Sequence, residues 1–225
     1  MLGFRILPRT RQVDAETVTR FRALPVANIS DCMNRMTAGG ASLRPMHREG
    51  VLAGPALTVK TRPGDNLMIH KALDLAAPGD VIVVDGGGDL TNSLMGELMV
   101  AHAKVRGVAG IVLYGAVRDI AAIRASDWPV YATGVSHRGP YKDGPGEINV
   151  LIAIEGMVIE PGDLIIGDED GVLAQPLGVR LGHGQGPQLL VHPGVIHGRR
   201  HRARQGNEAL DLPRPPAPGL QPVGQ

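Results

Sequence analysis

The chain has one cysteine, Cys32, in 225 residues. That excludes an intrachain disulfide and any zinc site built from several thiolates. Aromatic residues make up only 3% of the sequence. This is too few for the stacking platforms that hold single-stranded nucleic acid, and argues against a nucleic-acid partner. No apolar run reaches transmembrane length, and no charged-then-apolar leader opens the sequence. The expectation is a cytoplasmic protein with no membrane partner. Asn28-Ile29-Ser30 matches a glycosylation acceptor, but without secretion the match is coincidence.

What is present is ordinary for a globular protein: 43% hydrophobic and 20% charged residues. The length allows one good-sized domain with a substantial core. The net charge of +1 is unevenly spread. Residues 1–175 carry 17 basic and 20 acidic side chains, whereas residues 176–225 carry six arginines against two acids. From Pro176 onward there are also eight of the 18 prolines, nine of the 31 glycines and four of the eight histidines. No helical or strand period survives there. The composition predicts a domain over 1–176 and a disordered, basic, low-complexity tail over 177–225. Arg-, Gly-, Pro- and His-rich text of this kind is also what a shifted reading frame in a GC-rich gene produces.

Within the domain, Asp14 caps a predicted helix running to Leu24. A second helix follows Pro25, with Ile29, Cys32, Met33 and Met36 on one side, and ends at Gly39-Gly40. Val51 to Thr61 reads as one or two strands broken near Gly54-Pro55, and Asp65 caps a helix from Asn66 to about Ala76. Val81-Ile82-Val83-Val84 is a buried parallel strand ending at Asp85-Gly86-Gly87-Gly88. Asn92 or Ser93 caps a helix carrying Leu94, Leu98, Val100, Ala101 and Val105, and Ile111 to Tyr114 is the next strand. A short helix begins near Asp119, and Trp128 to Ala132 forms another strand. A Gly/Pro-rich loop covers Gly134 to Gly146. Short strands follow at Ile148 to Ile154, Met157 to Ile159, Leu164 to Ile166 and Val172 to Ala174, separated by turns at Pro161-Gly162-Asp163 and Asp168-Glu169-Asp170-Gly171.

The chemistry concentrates in GELMVAHAKVRGVAGIVLYGAVRD, Gly96 to Asp119. A strand, crossover helix and strand of this length make a right-handed βαβ unit. Both strands then end on one side of the sheet, where open α/β sheets bind ligands. Glu97 starts its helix from that side, and Arg118 and Asp119 leave the second strand there. A carboxylate, a guanidinium and a second carboxylate at one edge suit a divalent cation and an anionic oxo acid. The exposed amides of the helix start add an anion site. The bland reading of the same residues is a surface ion pair in a loop, worth little.

Other constellations carry less. Gly86-Gly87-Gly88 fails the dinucleotide fingerprint, because Thr91 stands where the third glycine belongs, and no phosphate-loop Gly-Lys-Ser/Thr follows. Asp65, Asn66 and His70 read as a helix cap and a helix histidine, with a catalytic His70 as the competing reading. Ser136-His137-Arg138 with Lys142 and Asp143 reads as a solvated loop or a lid over an anionic substrate. Asp168-Glu169-Asp170-Gly171 lacks EF-hand spacing and reads as a turn.

Taken together, GDNLMIHKALDLAAPGDVIVVDGGG (Gly64 to Gly88), GELM (Gly96 to Met99), GAVRD (Gly115 to Asp119) and PGDLIIGDEDGV (Pro161 to Val172) resemble the 4-hydroxy-4-methyl-2-oxoglutarate aldolase/oxaloacetate decarboxylase family. That family shares its fold with the regulator of ribonuclease activity A. The likeness spans about Ile29 to Ala174. It implies a layered α/β/β domain with a partly parallel central sheet, assembled as a homotrimer or a hexamer. It also implies a lyase that cleaves a C–C bond in 2-oxo dicarboxylic acids and releases pyruvate. By the same resemblance, Asp119 binds Mg²⁺ or Mn²⁺, with Glu97 assisting through water. Arg118 and Glu97 are catalytic, and Gly96, Glu97, Leu98, Met99 and Arg118 bind the substrate. Aldolase members commonly carry Asp where this chain has Glu97. They often end in a charged helix that brings an acid to the neighbouring subunit's site, whereas this tail holds only Glu208 and Asp211. The competing function is a non-catalytic, protein-binding regulator of ribonuclease activity on the same scaffold. Such regulators lack the metal-binding Asp after the Arg.

Overall fold

The computed structural model describes residues 3–33, 35 and 41–177. The tail expected to be disordered, except for Leu177, lies outside the described residues. So do Met36 and the Gly39-Gly40 helix end.

The chain opens with β1 (Phe4–Ile6), followed by α1 (Ala15–Arg22) and α2 (Val26–Cys32). Asp14 caps α1 as its sequence requires, accepting the Thr17 N–H at 2.8 Å. After β2 (Arg44–Pro45) comes β3 (Leu52–Thr61), one continuous strand that changes partner midway. Leu52 to Pro55 pairs antiparallel with a later strand, and Ala56 to Lys60 pairs parallel with β4 (Val81–Asp85). Gly54 and Pro55 therefore mark an exchange of neighbours rather than a break. A Cβ on Gly54 would strike the Gly79 carbonyl, so glycine is needed for close approach there. Helix α3 (Leu67–Leu75) crosses between β3 and β4.

Next come β5 (Ser93–Met95), α4 (Glu97–Val105), β6 (Gly110–Val117), α5 (Ile120–Arg124) and β7 (Val130–Val135). Three expectations are corrected here. The helix expected from Asn92 or Ser93 begins only at Glu97, because Ser93–Met95 pairs parallel with the end of β6. Leu94 is accordingly a fully buried strand residue. Of the other apolar residues expected on this helix, only Val100 is buried; Leu98 and Val105 are 83% and 86% exposed and Ala101 is exposed too, while Ala103 joins Val100 on the inner face. The strand expected at Trp128 starts at Val130, while Trp128 Nε1 donates to the Val108 carbonyl at 3.1 Å.

The β-rich remainder is β8 (Gly146–Ile148), β9 (Ile152–Ile154), β10 (Met157–Ile159), β11 (Leu164–Asp168) and β12 (Gly171–Gln175). The run expected from Ile148 to Ile154 is two strands, not one. The main sheet runs β1-β8-β3-β4-β6-β7-β2; β11 adds to β3 and β12, and β5 adds to β6. The inner strands β3, β4, β6 and β7 are parallel.

Alternation along these strands feeds two cores. Ile82, Val84, Ile111 and Leu113 face α3, α4 and α5. Val81, Val83, Val112 and Tyr131 face the β9–β10 hairpin and β11. A strand buried on both faces must be apolar at every position, which is why Val81–Val84 reads as a continuous run. A third cluster seats α1 and α2 on Leu164, Ile166 and Leu173. The result is the expected α/β/β layering.

The two Pro-Gly-Asp turns have the same internal design. Asp80 and Asp163 are buried, and each accepts the N–H three residues upstream, from Ala77 at 2.9 Å and Glu160 at 2.8 Å. The N-terminal arm supplies an arginine to each: Arg9 lies 2.7 Å from Asp80 Oδ1, and Arg11 lies 3.8 Å from Asp163 Oδ1.

Candidate functional site

Strand β4 ends beside β6 in parallel register, Asp85 opposite Tyr114, so the chain leaves both strands on one side of the sheet. At the end of β6, Val117 pairs with Met95, and the Arg118 N–H donates to the Met95 carbonyl at 2.9 Å. Asp119 then turns into the left-handed region, φ 57° and ψ 38°. Asp tolerates that region better than most residues, yet the conformation still costs on the order of 1 kcal/mol. It aims the carboxylate at the start of α4, where Asp119 Oδ2 accepts the Glu97 N–H at 3.0 Å. Gly96, the N-cap of α4, makes no side-chain cap of its own. A carboxylate 22 residues downstream fills that role. Gly96 is extended at φ −145°, so its glycine serves space rather than conformation. A Cβ there would collide with the Asp119 carboxylate and come within 3.0 Å of Arg118 Cγ.

Arg118 Nε lies 3.8 Å from Asp119 Oδ2, with the two side chains 45% and 43% exposed. So loose and wet a pair contributes little to stability, and both groups keep capacity for a ligand. They line an open depression of about 500 Å³ together with Ile120, Val135, Ser136 and His137. The segment Ser136–Gly139 forms its wall. Ser136 donates its N–H to Val117 O at 2.9 Å and its hydroxyl to Thr91 O at 3.2 Å. Ser93 gives both its N–H and its hydroxyl to Arg138 O at 2.8 Å, and Asn92 Nδ2 donates to Gly139 O. Asn92 and Ser93 are buried, so the segment read as a lid or solvated loop is a pinned wall.

Of the residues expected to act together, Gly96, Glu97, Arg118 and Asp119 converge. Leu98 points into solvent, and half-buried Met99 packs toward the core, its sulfur 3.4 Å from Asn66 Nδ2. Glu97 also borders a neighbouring groove of about 130 Å³ between α4 and α5, with Lys104 and Trp128. Among the described residues no three His, Cys, Asp or Glu side chains gather as a metal cluster. Asp65 is structural, since its buried carboxylate accepts the N–H groups of Leu67, Asp143 and Gly144 at 2.8–2.9 Å. His70 lies off the depression, and burial followed by the charge of Lys142 pulls its pKa below the usual histidine range. Asp168 caps α2, accepting the Val26 N–H at 2.8 Å. Gly87 and Gly88 turn at φ 72° and 68°, with Gly88 packed under the Tyr114 ring.

Sequence reasoning passed over Asn66 as more than a cap. It is 2% exposed and donates to Leu94 O at 3.0 Å, while its Oδ1 has no partner among the described residues. A second polar residue directly after the capping Asp65, at the start of a mostly apolar helix, was the available signal.

The profile described as RraA-like, Aldolase/RraA, matches residues 26–174. The chain belongs to the aldolase/RraA family. A relative from Halalkalibacterium halodurans, named "Putative 4-hydroxy-4-methyl-2-oxoglutarate aldolase", is 41% identical over 167 residues, covering 74% of this chain and 80% of that protein. The solved RNA-processing inhibitor RraA from Thermus thermophilis is 31% identical with a TM-score of 0.62, covering 71% of this chain and 99% of that one. Streptomyces coelicolor RraAS2, described as an unusual member of the RNase ES inhibitor RraA family, is 25% identical with a TM-score of 0.67, covering 74% of this chain and 87% of that one. The matched span runs from α2 to β12 and contains every candidate site residue named above. No helix among the described residues is long and apolar enough to cross a membrane.

Proposed function

We propose that the chain is a divalent-metal-dependent lyase that cleaves a C–C bond in 2-oxo dicarboxylic acids and releases pyruvate. The observation that carries this reading is the Asp119 carboxylate fixed on the Glu97 N–H, with Arg118 beside it at the mouth of an open depression. The aldolase name of the 41% identical relative points the same way.

The donor set fits Mg²⁺ or Mn²⁺ better than zinc. One protein carboxylate with space for water and substrate oxygens suits a hard cation that keeps much of its hydration shell, and no nitrogen or sulfur cluster accompanies it among the described residues. Asp119 would hold the cation, with Glu97 reaching it through water. When bound, it supplies positive charge beside the keto oxygen. The chain's own residues do the rest. Of the backbone amides at Gly96–Met99, Glu97 and Met99 already donate to Asp119 Oδ2 and Gly96 O, which leaves those of Gly96 and Leu98 to take the substrate's first carboxylate. Arg118 faces the keto oxygen and stabilises negative charge that builds there as the C–C bonding pair passes into the pyruvate enolate. For a 4-hydroxy substrate a water takes the hydroxyl proton as C4 becomes the carbonyl of the departing half (for oxaloacetate the departing half is CO₂), and a water then protonates the methylene carbon of the enolate to give pyruvate.

Self-association is part of the proposal. Leu98 and Val105 stand seven residues apart on the outer face of α4, 83% and 86% exposed. Two large apolar side chains in line on one helix face suit contact with another copy, as a homotrimer or hexamer.

A regulator acting by protein–protein contact is the second reading, favoured by the likeness to the Thermus RNA-processing inhibitor. Pyruvate release from a panel of 2-oxo acids, with and without Mg²⁺, separates the two. Metal-dependent release supports the lyase. No release with either metal, together with no calorimetric heat of metal binding, leaves the regulator.

A further inference from the structure

The depression beside Arg118 and Asp119 has two chemically different sides. Ile120 and Val135 give it an apolar floor, with Ala121 and Ala122 beside them, whereas Ser136 and His137 form a polar rim. Ser136 is already committed to Val117 and Thr91. His137 is exposed and makes no hydrogen bond to another described residue. Its backbone neighbours Ser136 and Arg138 are both anchored, the second by the fully buried Ser93. Its ring is therefore carried on a fixed base rather than on a free loop, so little ordering cost attends its use.

We propose that His137 is a specificity-determining residue: its imidazole meets the second, distal carboxylate of the substrate, while Val135 and Ile120 receive apolar substituents on the departing half. The inference rests on the lyase reading above and adds what that reading leaves open, namely which oxo acids the site selects. Arg118 and the α4 amides hold the pyruvyl half, so the half that leaves must extend across the depression toward the rim. A distal carboxylate placed there without a donor would stay less well paired than in water, and substrates bearing one would be disfavoured.

The test compares 4-hydroxy-4-methyl-2-oxoglutarate with 4-hydroxy-2-oxopentanoate, which lacks the distal carboxylate, using wild type, His137→Ala and His137→Lys with Mg²⁺. Wild type is expected to prefer the dicarboxylate in kcat/KM by about tenfold or more, the scale set by one well-placed polar contact. His137→Ala is expected to remove most of that preference through KM, and His137→Lys to restore it. Far-ultraviolet circular dichroism checks that the variants fold. If wild type cleaves both substrates and the ratio in His137→Ala stays within about twofold of wild type, the role of His137 is overturned while the lyase reading stands. If wild type cleaves neither, and exchanges no pyruvate methyl protons in deuterated water, the lyase reading itself falls and takes the inference with it.

Discussion

Asp119 Oδ2 accepts the backbone N–H of Glu97 at 3.0 Å, so the carboxylate proposed to hold the metal also caps the helix whose amides receive the substrate. The two functions separate on substitution. Asp119→Asn keeps the size and an acceptor oxygen for that N–H but removes the charge. Metal-dependent pyruvate formation is expected to collapse while the circular dichroism spectrum persists. Arg118→Lys keeps the charge and loses the planar fork, and a fall of about 10²-fold in kcat is expected by analogy with a lost oxyanion donor.

Gly96→Ala tests the crowding directly. The added methyl has nowhere to go except into the Asp119 carboxylate or against Arg118, and both must shift. Since about 1 Å of misplacement can cost 10²-fold in rate, activity is expected to drop by that order. Gly96 is the N-cap of α4, a position where Ala is poorer than Gly, so a modest fall in melting temperature is expected beside the larger loss of activity. Parallel turnover and thermal-melt measurements check both halves.

Ile82 is fully buried in the core between the parallel strands and α3. Ile82→Ala is expected to lower unfolding free energy by about 2–5 kcal/mol, through lost burial plus the cavity left behind. Urea denaturation measures it. The Asp119→Asn variant, altered at a half-exposed site, is expected to fall well below that range.

His70 gives the fold a pH dependence. Its folded pKa is lowered, first by burial and then by Lys142, so the unfolded chain binds its proton more readily. The stability contributed by neutral His70 is complete above the unfolded value of about 6.5 and is lost as pH falls through it toward the lower folded value. Urea midpoints at pH 7.5 and 5.5 are expected to differ more for wild type than for His70→Gln.

Much of this was legible in the sequence because local and tertiary demands agree. Val81–Val84 is apolar at every position because both faces of β4 are covered. Asp14 caps α1 because nothing else competes for it. The convergence of Arg118-Asp119 on Gly96-Glu97 follows from a βαβ unit whose strands must end together. What escaped depends on partners distant in sequence. Ser93–Met95 carries helix-like spacing into α4, yet the open edge at the end of β6 claims it as a strand. Pro55 looks like a break, but β3 passes through it by exchanging one neighbour for another. The Ser136–Gly139 segment resembles a loose loop until the buried Asn92 and Ser93 are seen to hold its carbonyls. No local pattern encodes those contacts, which lie 45 and 47 residues away.

The arginines that the arm before α1 gives to the two Pro-Gly-Asp turns also tie that arm to parts of the chain made much later. Phe4–Ile6 pairs with Gly146–Ile148, Arg9 with Asp80, and Arg11 with the turn at Asp163. The strand partner of Phe4–Ile6 is made some 140 residues later than the arm itself. Contacts between segments so distant in sequence are expected to form late, by docking onto a sheet that already exists. Until the arm docks, the carboxylates of Asp80 and Asp163 have no arginine from it to meet them.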